Sequence, residues 1–379
     1  MRKFFKFRLY PTHAQVTSLN TTLEICRQVY NKTLDIRKTA YETEKKSIFL
    51  YDTQKLLTQW KKTNTHWNTV YSQLLTNVQM RVDLAYKAFF RRVKAKQNPG
   101  FPRFKGKNRY DSFIYPQANT CGAFIEDTGI RLSKIGTVSA VFHRPILGKV
   151  KTITIRHTPT NKWYATISVE VDPVRLPHED KSVGIDLGLE KFATLSDGTI
   201  IQNPRFFKKS ENRLARVQRK FSKTKKGSKE RRHLRKSVSK IYEKISNQRK
   251  DFAHKLSNAL VNKYGTIVFE DLNIKGMVQG GHLAKSIHDV AWNMLVQYTS
   301  YKAEEAGRNV VLVDPKNTSK KCSKCGNIKE DLELKDRTYT CARCGLVLDR
   351  DFNASINILA LGLQRRGRGA PSRRADLST

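Results

Sequence analysis

The chain has 379 residues, with 72 Lys and Arg against 33 Asp and Glu, a formal net charge of +39 at pH 7. Self-repulsion of this size disfavours a compact state unless a polyanion neutralises it, so the composition indicates a nucleic-acid partner. A solvated surface and a ribosome-like binding role are the alternatives. No window approaches 18 uncharged apolar residues, which excludes a membrane-spanning helix and predicts no membrane partner. The length leaves room for two or three domains.

The first part of the chain predicts one strand, then helices, then more strands. FFKFRLY alternates like a strand, and after Pro11 apolar residues recur at helical spacing. Two more helices are predicted roughly over 52–62 and 71–96. The stretch NPGFPRFKGKNRYDSF breaks helical structure and mixes basic with aromatic residues. The strand-like segments that follow (AFIED, IRLSK, TVSAVFH, VKTITIRH and KWYATISVEVD) predict a small β-barrel, which the first strand can rejoin.

From about Lys181 the pattern changes to mixed α and β elements. SVGIDLG and KFATLSDGTIIQ predict strands in a hairpin meander. Residues 205–250 carry 19 Lys and Arg against three Glu yet keep an apolar helical period, which predicts a basic α-hairpin broken at Gly227-Ser228, with disorder as the alternative. The strand GTIVFED, a helix near 286–306, the strand NVVLVDP, a cysteine segment and a last helix follow, and a disordered basic tail is expected from about 363.

Three acids stand in separate contexts of this second part: Asp186 in SVGIDLG, Glu270 in TIVFED and Asp351 in LDRDFNAS. Strand alternation places Asp186 on the face of Gly184 and Gly188, whose missing side chains we interpret as room for metal ions and a polynucleotide backbone. The last helix is expected to start near Asp351 and to bury a stripe of four apolar residues: Phe352, Ile356, Leu359 and Leu363.

In so basic a chain, these acids predict a metal-dependent nuclease site. Carboxylates that converge from two strand ends and a helix start could hold two Mg²⁺ or Mn²⁺ ions about 3.5–4 Å apart. Each acid alone also has an ordinary explanation, since Asp351 could cap its helix, Asp186 could cap a turn and Glu270 could pair with a lysine. The neighbouring Asp349 and Asp271 could serve instead, and no spacing rule separates them.

Four of the six cysteines have the spacing of a zinc ribbon. Cys322 and Cys325 are followed, after fifteen residues, by Cys341 and Cys344, and a glycine follows each pair. Four protein ligands close the coordination shell, so the predicted Zn²⁺ is structural and fixes the segment that delivers Asp351. An iron–sulfur cluster or a redox pair is the alternative. The remaining cysteines and the N-terminal segment, which lacks a continuous apolar run, predict a cytoplasmic protein.

Together these motifs resemble the TnpB family of insertion sequences, the presumed ancestors of type V CRISPR effector nucleases. The likeness runs over nearly the full length, through RLYPT, AYKAFFRR, GFPRFKGK, GIDLGLEKFATLSDG, VFEDLNIKGM, SIHDVAW, TSKKCSKCG and DRDFNASINIL. It implies an α/β multidomain protein with a RuvC-type nuclease domain of RNase H fold. The family's three catalytic acids match Asp186, Glu270 and Asp351, so the resemblance favours Asp351 over Asp349.

The resemblance also implies the domain boundaries. A wedge-like β-barrel would comprise residues 1–10 and 111–180, with a helical recognition lobe at 11–110. The nuclease domain would comprise 181–314 and 349–379, with the hairpin 205–250 inside it and the zinc ribbon inserted at 315–348.

The family further implies a guide RNA made from the transposon's own end, with one protein per RNA. That RNA would pair with one strand of a double-stranded DNA target, next to a short transposon-adjacent motif read by the protein near Tyr51 and Thr76-Asn77. In the cell the protein would be associated with the nucleoid. We expect contacts with RNA and heteroduplex at these residues: Arg103, Lys105, Lys107, Arg213, Arg216, Arg219, Lys220, Arg231, Arg232 and Arg235. Solvated loops are the alternative.

The leading hypothesis is therefore an RNA-guided, metal-dependent DNA endonuclease that makes double-strand breaks. One alternative is a nuclease-inactive RNA-guided repressor, although such relatives are expected to lose acids that this chain keeps. The other is a transposase or junction nuclease that acts without RNA.

Overall fold

The computed structural model describes residues 1–273, 276–277, 292–333 and 335–367. The chain divides into two compact units, Met1–Asp172 and Pro173–Thr379. Among the described residues, no helix combines the length and apolar character that crossing a membrane requires.

The helices of the first unit follow directly after its first strand. They are α1 (His13–Glu44), α2 (Leu50–Thr63) and α3 (Ser72–Lys94), with a short 3-10 helix at Thr65–Thr69. Thr12 starts α1 with a capping box, in which its side chain accepts from the amide of Gln15 and the Gln15 side chain accepts from the amide of Thr12. The stripe that predicts α1 is buried, with Leu19, Cys26 and Leu34 fully enclosed.

The strands of the first unit form a seven-stranded antiparallel sheet in the order β2-β6-β7-β1-β5-β4-β3. They are β1 (Arg2–Tyr10), β2 (Ser112–Tyr115), β3 (Ala123–Glu126), β4 (Gly129–Leu132), β5 (Gly136–Val141), β6 (Lys149–His157) and β7 (Trp163–Glu170). The segment after β2 reaches both halves of the sheet, because Ala118 donates to the carbonyl of Lys151 and Asn119 to that of Ala123. The sheet therefore nearly closes on itself, with β1 at its centre.

The second unit contains a mixed five-stranded sheet in the order β10-β9-β8-β11-β12. Its strands are β8 (Ser182–Leu187), β9 (Lys191–Leu195), β10 (Ile200–Gln202), β11 (Thr266–Glu270) and β12 (Asn309–Val313). β8, β11 and β12 run parallel to one another, whereas β9 and β10 form the antiparallel edge. Two short strands lie apart from this sheet, β13 (Thr338–Thr340) and β14 (Val347–Asp349).

Four helices are described in the second unit: α4 (Phe206–Lys223), α5 (Lys229–Lys263), α6 (Trp292–Ala306) and α7 (Arg350–Gly367). α4 and α5 form the predicted hairpin, which breaks at Gly227-Ser228 as expected and packs around buried Leu214, Ile241 and Ile245. The predicted end at residue 250 is wrong. α5 continues to Lys263 because its apolar positions go on beyond the basic stretch, to Leu260 and Val261 in the core beside the sheet.

Two other boundaries differ from the prediction or lie beyond the described residues. The predicted start of the disordered tail, at about residue 363, is too early. The chain is still helical through Gly367, and Arg365 Nη1 donates to the carbonyl of Leu312 on β12. Residues 368–379, and residues 286–291 of the predicted helix near 286–306, lie outside the described residues.

Candidate metal centres and basic surfaces

Asp186 and Glu270 lie side by side at the carboxyl ends of two adjacent parallel strands. Ile185 of β8 is in register with Phe269 of β11, and each acid is the next residue in its strand. Neighbouring strands lie about 4.8 Å apart. Since side chains alternate between faces, both acids project to the side opposite buried Ile185 and Phe269.

That side of the sheet is covered by α7. Val268, two residues before Glu270, packs with Ile358 of α7. A Cβ atom added to Gly184, two residues before Asp186, would lie 2.2 Å from the carbonyl oxygen of Ser355. Our interpretation of Gly184 as room for metal and polynucleotide is therefore wrong. The missing side chain makes room for the backbone of α7, which carries Asp351.

The face that α7 buries also differs from the predicted stripe. Small and amide side chains are buried on it, namely Asn353, Ala354, Ser355 and Asn357, together with the apolar Ile358. Leu363, predicted to be buried, is 42% exposed. Small residues allow the helix backbone to approach the sheet closely, which a row of large apolar side chains would prevent.

Asp349 and Asp351 have different environments. Asp349 precedes α7 and acts as its N-cap, since its Oδ1 accepts from the backbone amides of Asp351 at 3.0 Å and Phe352 at 3.1 Å. Its Oδ2 pairs with Lys191 Nζ at 2.7 Å. Asp351 lies in the first helical turn, 3.2 Å from Arg350 Nη2 and 3.9 Å from Lys191 Nζ. Asp351 is therefore not the helix cap.

The electrostatics couple the acids to one another. Burial raises the pKa of Asp186 well above its ordinary range, the negative charges of Glu270 and Asp351 raise it further, and Arg350 opposes the shift. Burial likewise raises the pKa of Glu270, against a hydrogen bond from Thr318. For Asp349 burial is the largest influence and acts upwards, but the hydrogen bonds from Lys191 and the helix amides bring its pKa below the ordinary value.

The donor set of the three acids fits a hard divalent cation. Among the main influences on the pKa of half-buried Asp186, Arg350 is the one cation, whereas Glu270, Asp351 and Asp349 are all acids. All three ligands are carboxylates, which Mg²⁺ and Mn²⁺ prefer. A cation would relieve the mutual repulsion that raises the Asp186 pKa.

The acids are less tightly grouped than the cysteines. In the part of the chain that the structure describes, Cys322, Cys325, Cys341 and Cys344 are the one group of three or more such side chains whose ligand atoms all lie within 4.8 Å of one another.

The cysteine cluster consists of two knuckles with matching backbone geometry. The amide of Gly326 donates to the carbonyl of Cys322 over 3.0 Å, and the amide of Gly345 donates to that of Cys341 over the same distance. Both glycines have positive φ, 76° and 70°, a conformation that favours glycine. The two sequence pairs therefore form equivalent turns that present their thiols to a common centre.

The sulfur distances fit a tetrahedral metal ion. Cys322 Sγ and Cys344 Sγ are 3.6 Å apart, and Cys325 Sγ and Cys341 Sγ are 3.5 Å apart. A Zn–S bond of about 2.3 Å in a tetrahedron separates sulfurs by about 3.8 Å. The four thiols could therefore hold Zn²⁺ with little adjustment.

Sequence reasoning missed three buried polar residues that join the cysteine segment to the acids. Thr318 Oγ1 donates to Glu270 Oε1 over 2.6 Å. Asn357 Nδ2 donates to the carbonyl of Thr318 over 2.9 Å, and Asn353 Nδ2 donates to the carbonyl of Lys321 over 2.8 Å. The available signal was the pair of amides four residues apart, which places both on one face of α7 just after Asp351.

The predicted nucleic-acid segment GFPRFKGK, residues 100–107, is held by α1. Asn31 makes two hydrogen bonds to the backbone of Lys105, donating to its carbonyl over 3.0 Å and accepting from its amide over 2.8 Å. Arg27 donates to the same carbonyl over 3.0 Å. Arg103 and Lys107 are exposed, whereas the Lys105 side chain is half-buried with its Nζ 5.6 Å from the centre of the Tyr30 ring.

The basic hairpin exposes almost all of its predicted contacts. The exposed residues are Arg213, Arg216, Arg219, Lys220, Arg232 and Arg235. Arg231 differs, because its Nη1 donates to the carbonyls of Phe221 and Thr224, each over 2.7 Å, and its guanidinium lies over the Phe221 ring. Arg231 lies in the first turn of α5, and these contacts with the end of α4 give it a structural role that the sequence did not indicate.

The residues named for motif reading occupy the helices of the first unit. Tyr51 in the first turn of α2 is 66% exposed, and Lys55 Nζ lies 4.5 Å from the centre of its ring. Thr76 and Asn77 are half-buried on α3, and Asn77 Oδ1 accepts no hydrogen bond from the described residues.

Family models match three parts of the chain. The family described as "Probable transposase" matches residues 166–280, and the "Cas12f1-like, TNB domain" matches 292–358, which includes all four clustered cysteines. A model described as "Helix-turn-helix domain" matches residues 1–46. In the structure those residues form β1 and the single long helix α1, not two helices joined by a turn.

Full-length relatives and one solved structure extend these matches. A "Putative RNA-guided DNA endonuclease" of Streptomyces pristinaespiralis is 34% identical over 96% of this chain and 90% of its own length. A protein of Escherichia coli K12 with the same description, InsQ, is 32% identical over 94% of this chain and 92% of its own. The "mini-RNA-guided endonuclease CRISPR-Cas_phi3" has a TM-score of 0.52 at 11% identity, covering 98% of this chain and 93% of that one, which is a likeness of fold.

The first two relatives exceed 30% identity over nearly their entire lengths, and the separate matches fall on the same segments that carry the acids and the cysteines. The chain belongs to the TnpB family.

Proposed function

We propose that the chain is an RNA-guided DNA endonuclease of an insertion sequence, which cuts double-stranded DNA next to a short transposon-adjacent motif. The observation that carries the proposal is the grouping of Asp186, Glu270 and Asp351 under one face of the mixed sheet, close enough for the charges of the other two to raise the pKa of Asp186. The relatives described as RNA-guided DNA endonucleases support the same activity.

The proposed architecture assigns each part a role. Residues 181–314 and 349–379 form a RuvC-type nuclease domain of RNase H fold, with the zinc ribbon 315–348 inserted before α7. The mixed sheet with its antiparallel edge and the helix that carries the last acid support this assignment. Residues 1–10 and 111–180 form a wedge-like barrel, and residues 11–110 a recognition lobe, supported by the nearly closed sheet and its three helices.

The three carboxylates are proposed as the ligands of two Mg²⁺ or Mn²⁺ ions. When bound, such ions activate a water molecule and stabilise the leaving oxygen in an in-line displacement at phosphorus. The chain's own contribution is placement: β8 and β11 present Asp186 and Glu270 from adjacent strand ends, and the Asp349 cap fixes the first turn of α7, which presents Asp351. Glu270 is buried and Asp186 is half-buried, which limits competition from bulk water.

The proposed partners are a guide RNA from the transposon end and its DNA target, with one protein per RNA. The net charge of +39 favours a polyanionic partner such as a guide RNA paired with its target, and A-form duplexes are held through backbone and 2′-OH contacts. The exposed arginines and lysines of α4 and α5 and the loop around Arg103 and Lys107 are the proposed contacts. Tyr51, Thr76 and Asn77 are proposed to read the adjacent motif.

The test is plasmid cleavage by purified protein with its guide RNA and Mg²⁺. Asp186→Ala should abolish cleavage while RNA-dependent DNA binding is retained, because the residue acts on the metal and not on base pairing. Asp271→Asn is the matched control, since Asp271 is exposed beside Glu270 and should be dispensable. Normal cleavage by Asp186→Ala would contradict the assignment of Asp186 as a metal ligand of the nuclease site.

The same preparation separates the two alternatives. A nuclease-inactive repressor would bind the target and leave the plasmid intact with every metal. A transposase or junction nuclease acting without RNA would cut without a guide. A discrete RNA that copurifies with the protein and ends in variable sequence would argue against that second alternative.

A further inference from the structure

We propose that Thr318, Asn353 and Asn357 are positioning residues that connect the zinc ribbon to the carboxylate cluster, so that the strength of divalent-metal binding at the acids depends on the ribbon. The inference rests on the proposed function, because it concerns the same acids. In this view the ribbon helps to assemble the metal site through one defined chain of hydrogen bonds.

The first link is between Thr318 and Glu270. The hydroxyl of Thr318 donates to Glu270 Oε1 over 2.6 Å, a length typical of a bond to a charged acceptor. Thr318 Oγ1 also lies 3.0 Å from the carbonyl oxygen of Pro315. Both Thr318 and Glu270 are buried, at 4% and 8% exposure. This bond occupies Oε1, fixes the carboxylate and leaves Oε2 for a ligand.

The second link holds Thr318 to α7. Asn357 Nδ2 donates to the carbonyl of Thr318 over 2.9 Å and to that of Lys321 over 2.6 Å. One amide on α7 therefore fixes both ends of the turn that leads into the first cysteine. Asp351 lies on the same helix. Contacts with α7 therefore help to fix both Glu270 and Asp351, although the two acids come from different segments of the chain.

The third link reaches inside the first cysteine knuckle. Asn353 Oδ1 accepts from the amide of Ser323 over 2.9 Å, and its Nδ2 donates to the carbonyl of Lys321 over 2.8 Å. Ser323 lies between Cys322 and Cys325, so its amide is placed by the knuckle geometry. Loss of the metal held by the cysteines would release this amide and, through Lys321, the turn that carries Thr318.

The burial of these groups explains why the chain of bonds should act as a unit. Asn353 is fully enclosed and Asn357 is 6% exposed, yet their amide groups have partners. Removal of one partner leaves a buried polar group unsatisfied, which favours rearrangement of the whole segment. Loss of a residue that orients a metal ligand typically weakens metal binding about 10- to 100-fold.

The decisive comparison is Thr318→Val against Thr318→Ser in the protein–guide RNA complex. Valine keeps the shape of threonine without the hydroxyl, whereas serine keeps the donor. We expect Thr318→Val to bind Mn²⁺ about 10- to 100-fold more weakly, measured by the electron paramagnetic resonance signal of free Mn²⁺, and Thr318→Ser to bind nearly as the wild type does. The Asp186→Ala complex gives the background of Mn²⁺ bound by RNA.

Zinc content and thermal denaturation show whether the effect is one of position or of folding. Thr318→Val should retain its zinc and a single cooperative unfolding transition, while the Mg²⁺ concentration for half-maximal cleavage rises. Asn353→Ala, a second variant at the other end of the chain of bonds, should also bind Mn²⁺ more weakly with zinc still bound. Wild-type Mn²⁺ affinity in both variants, or an equal defect in Thr318→Ser and Thr318→Val, would overturn the inference.

This outcome is distinct from failure of the proposed function. If Asp186→Ala loses cleavage and Mn²⁺ binding while the Thr318 and Asn353 variants bind normally, the acids form the site and the ribbon does not position them. If Asp186→Ala itself binds Mn²⁺ and cuts normally, the proposed function fails and the inference fails with it.

Discussion

The backbone amide of Asp351 donates a hydrogen bond to Oδ1 of Asp349 over 3.0 Å. Two acids that no spacing rule could separate therefore have different environments. Asp349 is committed to capping α7 and to its ion pair with Lys191. Asp351, presented by the capped turn, contributes its negative charge to the surroundings of half-buried Asp186.

We predict opposite effects for substitutions at these two positions. Asp351→Asn should abolish cleavage with little change in stability, because it removes a metal ligand and leaves the cap intact. Asp349→Ala should lower the free energy of unfolding by about 1 kcal/mol through loss of the cap, and Asp349→Ser, which can still cap, should lose less. Plasmid cleavage and chemical denaturation measure the two effects.

If Asp351→Asn still cleaves and Asp349→Ser does not, then Asp349 is the metal ligand and the assignment of Asp351 is wrong. The RNA-bound fraction of each variant is the control, because neither side chain is proposed to contact the guide.

Gly184 gives a second prediction, on the packing of α7. An alanine here would place Cβ 2.2 Å from the carbonyl oxygen of Ser355 and 2.5 Å from the amide nitrogen of Leu359, both backbone atoms. The helix must shift, so Gly184→Ala should destabilise the protein by about 1–3 kcal/mol or more and reduce cleavage by displacing Asp351.

Gly100→Ala is the matched control for this substitution. A Cβ atom at Gly100 meets nothing within 4 Å, so the denaturation of Gly100→Ala should remain that of the wild type. Full stability of Gly184→Ala would show that α7 does not lie against β8 as closely as described.

Metal removal is the third prediction. Cys325→Ser should lose the bound zinc, because the remaining three thiols no longer complete a tetrahedron, and cleavage should fall as the ribbon loosens. Cys121→Ser is the control, since Cys121 is exposed and outside the cluster and its replacement should leave zinc content unchanged. Zinc is measured by atomic emission on the purified protein. Equal zinc content in the two variants would contradict the assignment of Cys325 as a zinc ligand.

Much of the fold was predictable because local pattern and tertiary burial agree. The period that predicts a helix over 71–96 corresponds to α3 at Ser72–Lys94, and alternation in TIVFED places Ile267 and Phe269 in one core and Val268 in another. In TIVFED all the alternating residues are buried, and in α3 the early positions Val78 and Val82 are buried, whereas Val93 near the end of the helix is 47% exposed.

The sequence failed where burial depends on a neighbour's backbone and not on apolar side chains. The stripe predicted for α7 counted Leu363, but the helix buries Ala354 and Asn353 because β8 approaches it at Gly184. The role of Thr318 depends on Glu270, 48 residues earlier in the chain. Contacts of this kind carry no local period, so the sequence gives no signal for the Thr318–Glu270 bond or for the close approach at Gly184, and only the spacing of Asn353 and Asn357 on α7 could have been noticed.

The last prediction concerns the basic hairpin, where the structure separates exposed arginines from one that is engaged. Arg213 and Arg216 are exposed on α4, while Arg231 donates to the carbonyls of Phe221 and Thr224. If the exposed pair contacts phosphates, Arg213→Gln with Arg216→Gln should weaken guide-RNA binding and reduce its salt dependence. Each lost contact should lower the slope of log affinity against log salt by about 0.7–0.9.

Arg231→Gln serves as the contrast within the same hairpin. It removes one positive charge, as each of the other substitutions does, but its guanidinium stabilises the end of α4 and its connection to α5. We therefore expect a lower melting temperature and a nearly unchanged salt slope. Binding isotherms across a range of salt concentrations distinguish the two. An equal loss of slope in Arg231→Gln would mean that net charge, and not exposed phosphate contacts, determines the affinity of the hairpin for RNA.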